Sequence, residues 1–226
     1  MYQPRTPTKA DAAYRLLRRA IVVGEIPANR PLDDAELAAR YGAGRTPVRE
    51  ALKRLALEQF LLWPPRGAPY VRDLTLHEVH RLYESRLLIE VPAARLAASR
   101  ITDAALTEVA QIAEQLPDAA ARGQVYESIE LDHALHLAVT RGADNRFLGE
   151  AVGHLNCGSL RLWYLAHQHR GLAQVPAEHD GILDALRARD PDRAETAVRE
   201  HILLSHSNQM RIQSLPAESF RLAGTG

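Results

Sequence analysis

A proline- and glycine-rich stretch, Pro64-Pro65-Arg66-Gly67-Ala68-Pro69, runs out at Asp73, and the chain changes character across that point. Before it, 13 Lys and Arg face 8 Asp and Glu, a net of +5. After it, 15 face 20, a net of −5, and all 10 histidines lie on this side. Such an asymmetry predicts two domains, 1–73 and 74–226, with different partners. The whole chain of 226 residues has zero formal net charge and is 46% hydrophobic and 25% charged, which excludes a disordered or strongly charged tail protein. Cys157 is the single cysteine, so an internal disulfide framework and a cysteine-based zinc finger are excluded. No segment nears the ~20 apolar residues of a membrane span. Met1 to Ala10 lacks the apolar core of a secretory signal. The expectation is a cytoplasmic protein with no membrane partner.

The basic front part reads as three helices and a hairpin. Residues 8–23 carry Ala13, Leu16, Leu17, Ala20 and Ile21 on one helical stripe, which Gly24 ends. Asp33 is placed to cap a short second helix with Leu37, Ala38 and Tyr41 inward. After the tight turn Gly42-Ala43-Gly44, Thr46 and Pro47 suit the N-cap and first position of a third helix. Val48, Ala51, Leu52 and Leu55 form its apolar face. Phe60 to Trp63 and Ala68 to Arg72 are strand candidates, with Trp63 expected to pack in the wing. This is the order of a winged helix-turn-helix. Beyond Asp73 no strand pattern is convincing. Helical periodicity covers roughly 75–99, 103–116, 122–141, 145–169, 176–189 and 191–213, with breaks at Pro117 and at Gly171 to Pro176 among others. The expected fold class is mainly α, a winged helix-turn-helix followed by an antiparallel all-helical bundle.

In the third helix, Arg49 and Lys53 are four apart and share the face opposite the apolar stripe. Arg45 stands just ahead, where its guanidinium reaches the same surface. A recognition helix needs this geometry, with one face packed and its N-terminal residues aimed into the major groove. Arginine forks pair with guanine O6 and N7, worth about 1–3 kcal/mol of discrimination each. Thr46 and the helix N-terminus suit a phosphate, Arg40 an adjacent base or phosphate, and Arg66 and Gly67 the minor groove. Arginines on one helix face are equally what a solvated basic surface shows; the hairpin, the Thr-Pro start and the net of +5 tilt the reading to DNA.

The stretch Leu37-Ala38-Ala39-Arg40-Tyr41-Gly42-Ala43-Gly44-Arg45-Thr46-Pro47-Val48-Arg49-Glu50-Ala51-Leu52 resembles the N-terminal domain of GntR-type transcription regulators. Arg66-Gly67-Ala68 to Val71 resembles their wing. The resemblance implies operator binding as a homodimer, with Arg40, Arg45, Thr46, Arg49 and Gly67 near the DNA. Gly44 stands where the family usually has serine, and Gln59-Phe60 where it has Gly-Leu.

In the acidic part, Asp132 and His136 are four apart on a strongly helical stretch and project into one space. His133, about 100° further round at ~3.6 residues per turn, points elsewhere. His179 and His201 lie on two later helices, and inward groups from three helices of a bundle can meet. Three imidazoles and a carboxylate suit Zn²⁺, Ni²⁺ or a similar ion, with positions left for water or a ligand. Buried histidines are more often hydrogen-bonded core residues, and Asp132 can pair with an arginine, so spacing alone leaves both readings open.

Residues 78–213 resemble the all-helical FCD effector domain of the FadR subfamily. The matching pieces are Leu82-Tyr83-Glu84-Ser85-Arg86 with Glu90, Asp132 and His136, Asn145, Glu178-His179, and Arg199-Glu200-His201. Leu135 replaces the phenylalanine common before the histidine. The resemblance implies a divalent metal, Zn or Ni, on Asp132, His136, His179 and His201. It also implies a small organic-acid effector held by that metal and an arginine, for which Arg86 is the candidate; an i,i+4 ion pair to Glu90 is the plainer role for Arg86. Leu87, Leu88 and the Ala93-Ala94/Ala97-Ala98 surface can form a dimer seam or an intrachain contact. The leading expectation is a ligand-responsive transcription repressor with no catalytic residues. A metal-dependent helical enzyme, using Glu130 or Asp180, and a scaffold with a structural metal are the alternatives.

Overall fold

The computed structural model describes residues 8–170 and 177–213. The expected break at Gly171 to Pro176 lies outside the described residues. By internal packing the chain divides into two compact units, Met1–Asp73 and Leu74–Gly226. The fold is mainly α, as the periodicity predicted.

The first unit holds α1 (Lys9–Val22), α2 (Asp34–Arg40), α3 (Arg45–Leu57) and a short antiparallel pair, β1 (Leu61–Leu62) and β2 (Tyr70–Val71). Leu61 is registered against Val71, and both are buried. Helices α1 and α3 pack their apolar sides inward, with Leu17, Ile21, Val48, Leu52 and Leu55 at 0–1% exposure, whereas Leu16, expected on the same stripe of α1, is 47% exposed. Burial of this kind is the main driving force holding so small a unit together. Asp33 caps α2 by accepting from the backbone N–H groups of Ala35 and Glu36 at 2.7 and 2.9 Å. Tyr41 is only half buried.

Two local expectations need correction. Helix α3 begins at Arg45, and its N-cap is Gly44, not Thr46. The first helical bond already runs from Val48 N–H to the Gly44 carbonyl at 3.1 Å, which draws Arg45 and Thr46 into the first turn. Trp63, expected to pack in the wing, stands just after β1 and is 36% exposed.

The second unit contains, among the described residues, α4 (Leu76–Arg100), α5 (Asp103–Ala121), α6 (Val125–Arg141), α7 (Arg146–Arg170), α8 (Ala177–Arg187) and α9 (Pro191–Gln213). Reciprocal capping boxes or threonine caps start α4 and α5. Helix α5 does not stop at Pro117. It continues to Ala121, burying Leu116 and Ala119. It ends where Gly123 (φ 66°) lets the Gly123 and Gln124 N–H groups turn back onto the Ala120 and Ala119 carbonyls. Ala93, Ala94, Ala97 and Ala98 are 0–1% exposed within this unit. They form the close helix packing of its core and not an outward seam. Leu88 faces out at 72% exposure.

Candidate functional site

Two regions gather the chemistry-bearing residues, one in each unit. In the first, Arg40, Arg45, Thr46, Arg49, Lys53, Arg66 and Gly67 are all exposed. Val48, Ala51, Leu52 and Leu55 are buried, so α3 has one packed face and one free cationic face. Arg45 is the first residue of the helix and donates from Nη2 and Nε to Asp34 Oδ1 at 2.8 and 3.2 Å. Arg40 at the end of α2 reaches the Glu25 carbonyl at 3.4 Å. Lys53 pairs with Glu50 at 2.8 Å. Arg49 and Arg66 form no ion pair among the described residues, which leaves their forks available to a partner.

In the second unit, α6 contributes Asp132 and His136, α8 contributes His179, and α9 contributes His201. All four are buried, and their ligating atoms lie within 4.8 Å of one another. His136 Nε2 and His201 Nε2 are 3.1 Å apart, and His179 Nε2 is 2.8 Å from Asp132 Oδ1. His133 is buried but lies outside this group. Burial opposes ionisation of Asp132, yet the hydrogen bond from His179 and the three imidazoles hold its pKa below the ordinary value. The pKa of His201 falls well below its ordinary value, first through burial and then through the neighbouring His179 and His136. It is therefore a neutral imidazole with a lone pair to give, as metal ligation requires. The donor set fits a divalent transition ion: three nitrogens and an oxygen, converging and buried.

A second layer holds this group in place. Glu90, four residues after Arg86 on α4, accepts from His136 Nδ1 through Oε2 at 2.7 Å and from Arg86 Nε through Oε1 at 2.6 Å. That bond fixes the His136 tautomer so that Nε2 faces the other imidazoles. Burial works against the Glu90 charge, but the Arg86 guanidinium and His136 hold its pKa well below the usual carboxylate range. Arg86 is 0% exposed. Its guanidinium carbon lies 4.8 Å from the Trp163 ring and 5.2 Å from that of Tyr83, a favourable cation–π box. Nη2 reaches His136 Nε2 at 3.4 Å, while Nη1 has no hydrogen-bond partner among the described residues. Trp163 stacks on His136 at 6.1 Å and donates from Nε1 to the Tyr83 hydroxyl at 3.0 Å. A cavity of about 10 Å³, close to the room one water needs, is lined by Glu90, His136, Thr140 and His179 among others.

Sequence spacing pairs Glu90 only with Arg86. Its contact with His136 depends on the packing of α4 against α6, for which no local signal exists. Trp163 carried a weak signal as one of two tryptophans. Cys157 is half buried and forms no disulfide among the described residues.

With this geometry in place, comparison with known proteins gives two domain matches. Residues 9–71 match the model for bacterial regulatory proteins of the gntR family, and residues 81–204 match the FCD domain. The chain is 32% identical over 190 residues to the HTH-type transcriptional repressor RspR of Escherichia coli K12, covering 84% of this chain and 83% of that protein. It is 31% identical over 198 residues to the HTH-type transcriptional regulator YdfH of another E. coli strain, covering 87% of each. In fold it resembles E. coli McbR/YncC, with a TM-score of 0.78 at 21% identity, over 92% of this chain and 100% of that one.

Proposed function

Because the chain belongs to the gntR family of bacterial regulatory proteins and carries an FCD domain, it is a transcriptional regulator and not an enzyme, and we propose that it is a cytoplasmic, homodimeric repressor released from its operator by a small organic acid. The repressor sign is supported by RspR, which is described as a repressor. Among the described residues no helix is long and apolar enough to cross a membrane.

On this reading residues 1–73 are the DNA-binding head. Helix α3 lies in the major groove with Arg45 and Arg49 toward base edges. Thr46 and Arg40 hold backbone phosphates, and Arg66 and Gly67 enter the minor groove. Residues 74–226 bind effector and pair two copies; exposed Leu88 is the apolar residue of the expected seam that remains available.

The single observation that carries the effector reading is the buried convergence of Asp132, His136, His179 and His201 beside an Arg86 whose Nη1 lacks a partner among the described residues. These four residues would hold a divalent ion, Zn or Ni. When bound, that ion supplies Lewis acidity and open positions for a carboxylate. Arg86 Nη1 offers the charge-assisted donor that orients the same acid. Effector binding shifts the protein between DNA-competent and DNA-incompetent states, and DNA must change effector affinity by the same factor.

The test is a salt-titrated binding assay with DNA from upstream of the protein's own gene, against a scrambled duplex. Metals and small carboxylic acids are then added. His179→Ala should release most bound metal at neutral pH, keep selective DNA binding and lose the response to acids. Full metal retention in that variant would sink the four-residue assignment. Equal, equally salt-sensitive binding to both duplexes would leave only nonspecific electrostatics.

A further inference from the structure

The Asp132 centre uses three of the ten histidines. Another pair meets elsewhere in the same unit. His80, in the second turn of α4, and His206, near the end of α9, bring Nδ1 and Nε2 to 3.3 Å of each other. Their ring centroids are 5.1 Å apart with planes inclined at 50°. We infer that His80 and His206 form a second transition-metal site that clips α4 to α9, distinct from the Asp132 centre.

The spacing is the first argument. Two nitrogens on a tetrahedral ion at Zn–N distances of about 2.0–2.1 Å stand about 3.3 Å apart. The observed separation therefore equals the bite of one ion held from two helices. Capture of an ion requires the two rings to turn so that both lone pairs meet at one point, and His80 is exposed to solvent.

The second argument is that the arrangement is held. The His206 ring lies 5.0 Å from the Tyr83 ring, inclined at 34°. The Tyr83 hydroxyl is fixed by Ser205 Oγ at 2.8 Å and by Trp163 Nε1 at 3.0 Å. One of the two ligands thus has a firm backing, which lowers the entropy lost on capture.

Among the described residues no third His, Cys, Asp or Glu completes the pair, so the remaining positions belong to water or an incoming ligand. The site is therefore weaker than a four-ligand centre and selects imidazole-seeking ions, Zn²⁺, Ni²⁺ or Cu²⁺, over Mg²⁺ and Ca²⁺. The Tyr83–Trp163–His136 contacts connect it physically to the Asp132 centre. Its occupancy also stiffens the start of α4, a few residues after Asp73.

The experiment uses the tag-free full chain, loaded with one equivalent of Zn²⁺ and then titrated with more Zn²⁺ by calorimetry, for wild type, His80→Ala and His206→Ala. Wild type should take up a second, weaker equivalent, and each variant should lose it by at least about tenfold while keeping the first. The same second equivalent should survive in His179→Ala, so failure of the central assignment and failure of this one are separable. Circular dichroism melts confirm that the variants fold. A single equivalent in wild type, or a second one indifferent to both surface substitutions, would show that the two rings only share an imidazole hydrogen bond and would overturn the proposal.

Discussion

His136 Nδ1 meets Glu90 Oε2 at 2.7 Å, so the imidazole that faces His201 is oriented by a carboxylate from a different helix. The same carboxylate neutralises Arg86 at 2.6 Å. One buried side chain therefore serves both the ligand group and the arginine beside it. Replacing it by its amide, Glu90→Gln, should weaken metal binding by roughly 10–100-fold, the usual effect of losing such a supporting contact. Competition with a chromophoric chelator measures it; an unchanged affinity would mean that His136 needs no such support.

Arg49 is exposed on the free face of α3 and held by no ion pair among the described residues, in contrast to Arg45, which is tethered to Asp34. Arg49→Ala should weaken operator binding by at least about 1 kcal/mol and relax sequence preference if the guanidinium reads a base. Binding curves on the cognate and scrambled duplexes decide this, and equal loss on both assigns Arg49 to a phosphate.

Gln59 sits at φ 65° where α3 stops. Its N–H turns back to the Ala56 carbonyl at 3.1 Å, and the Phe60 N–H to the Leu55 carbonyl at 3.0 Å. This is the left-handed termination in which glycine is favoured, and a side chain there is strained. Gln59→Gly should raise the stability of the DNA-binding unit by about 0.5–1 kcal/mol net, after the greater entropy of the unfolded glycine is subtracted. Denaturant midpoints report it, and a lower midpoint would refute the strain argument.

Asp33 caps α2, and the backbone N–H groups of Glu36 and Ala35 lower its pKa. A carboxyl with a folded pKa below its unfolded value of about 3.9 stabilises above that value, and the stabilisation is lost as pH falls through the folded pKa. Asn caps without titrating. The melting temperature of wild type relative to Asp33→Asn should therefore drop on going from pH 5 to pH 3. A constant difference across that window would exclude Asp33 as a contributor to acid lability.

The sequence alone determined the local patterns. The i, i+3, i+4 recurrence of Val48, Ala51, Leu52 and Leu55 fixed which face of α3 is buried, because helix geometry links residues within about one turn. The same rule placed Asp132 beside His136 and Arg86 beside Glu90. Even locally it misjudged ends: Pro117 did not stop α5, since one lost hydrogen bond near a C-terminus is offset by burying Leu116 and Ala119. Only the tertiary structure decided what crosses between helices. The meeting of His179 and His201 with the α6 pair depends on helix register and crossing angle over separations of 43 to 69 residues. So do the bond from His136 to Glu90, the Trp163 stack, and the inward burial of Ala93, Ala94, Ala97 and Ala98. Those quantities are set by the packing of many side chains at once, and no short window of sequence contains them.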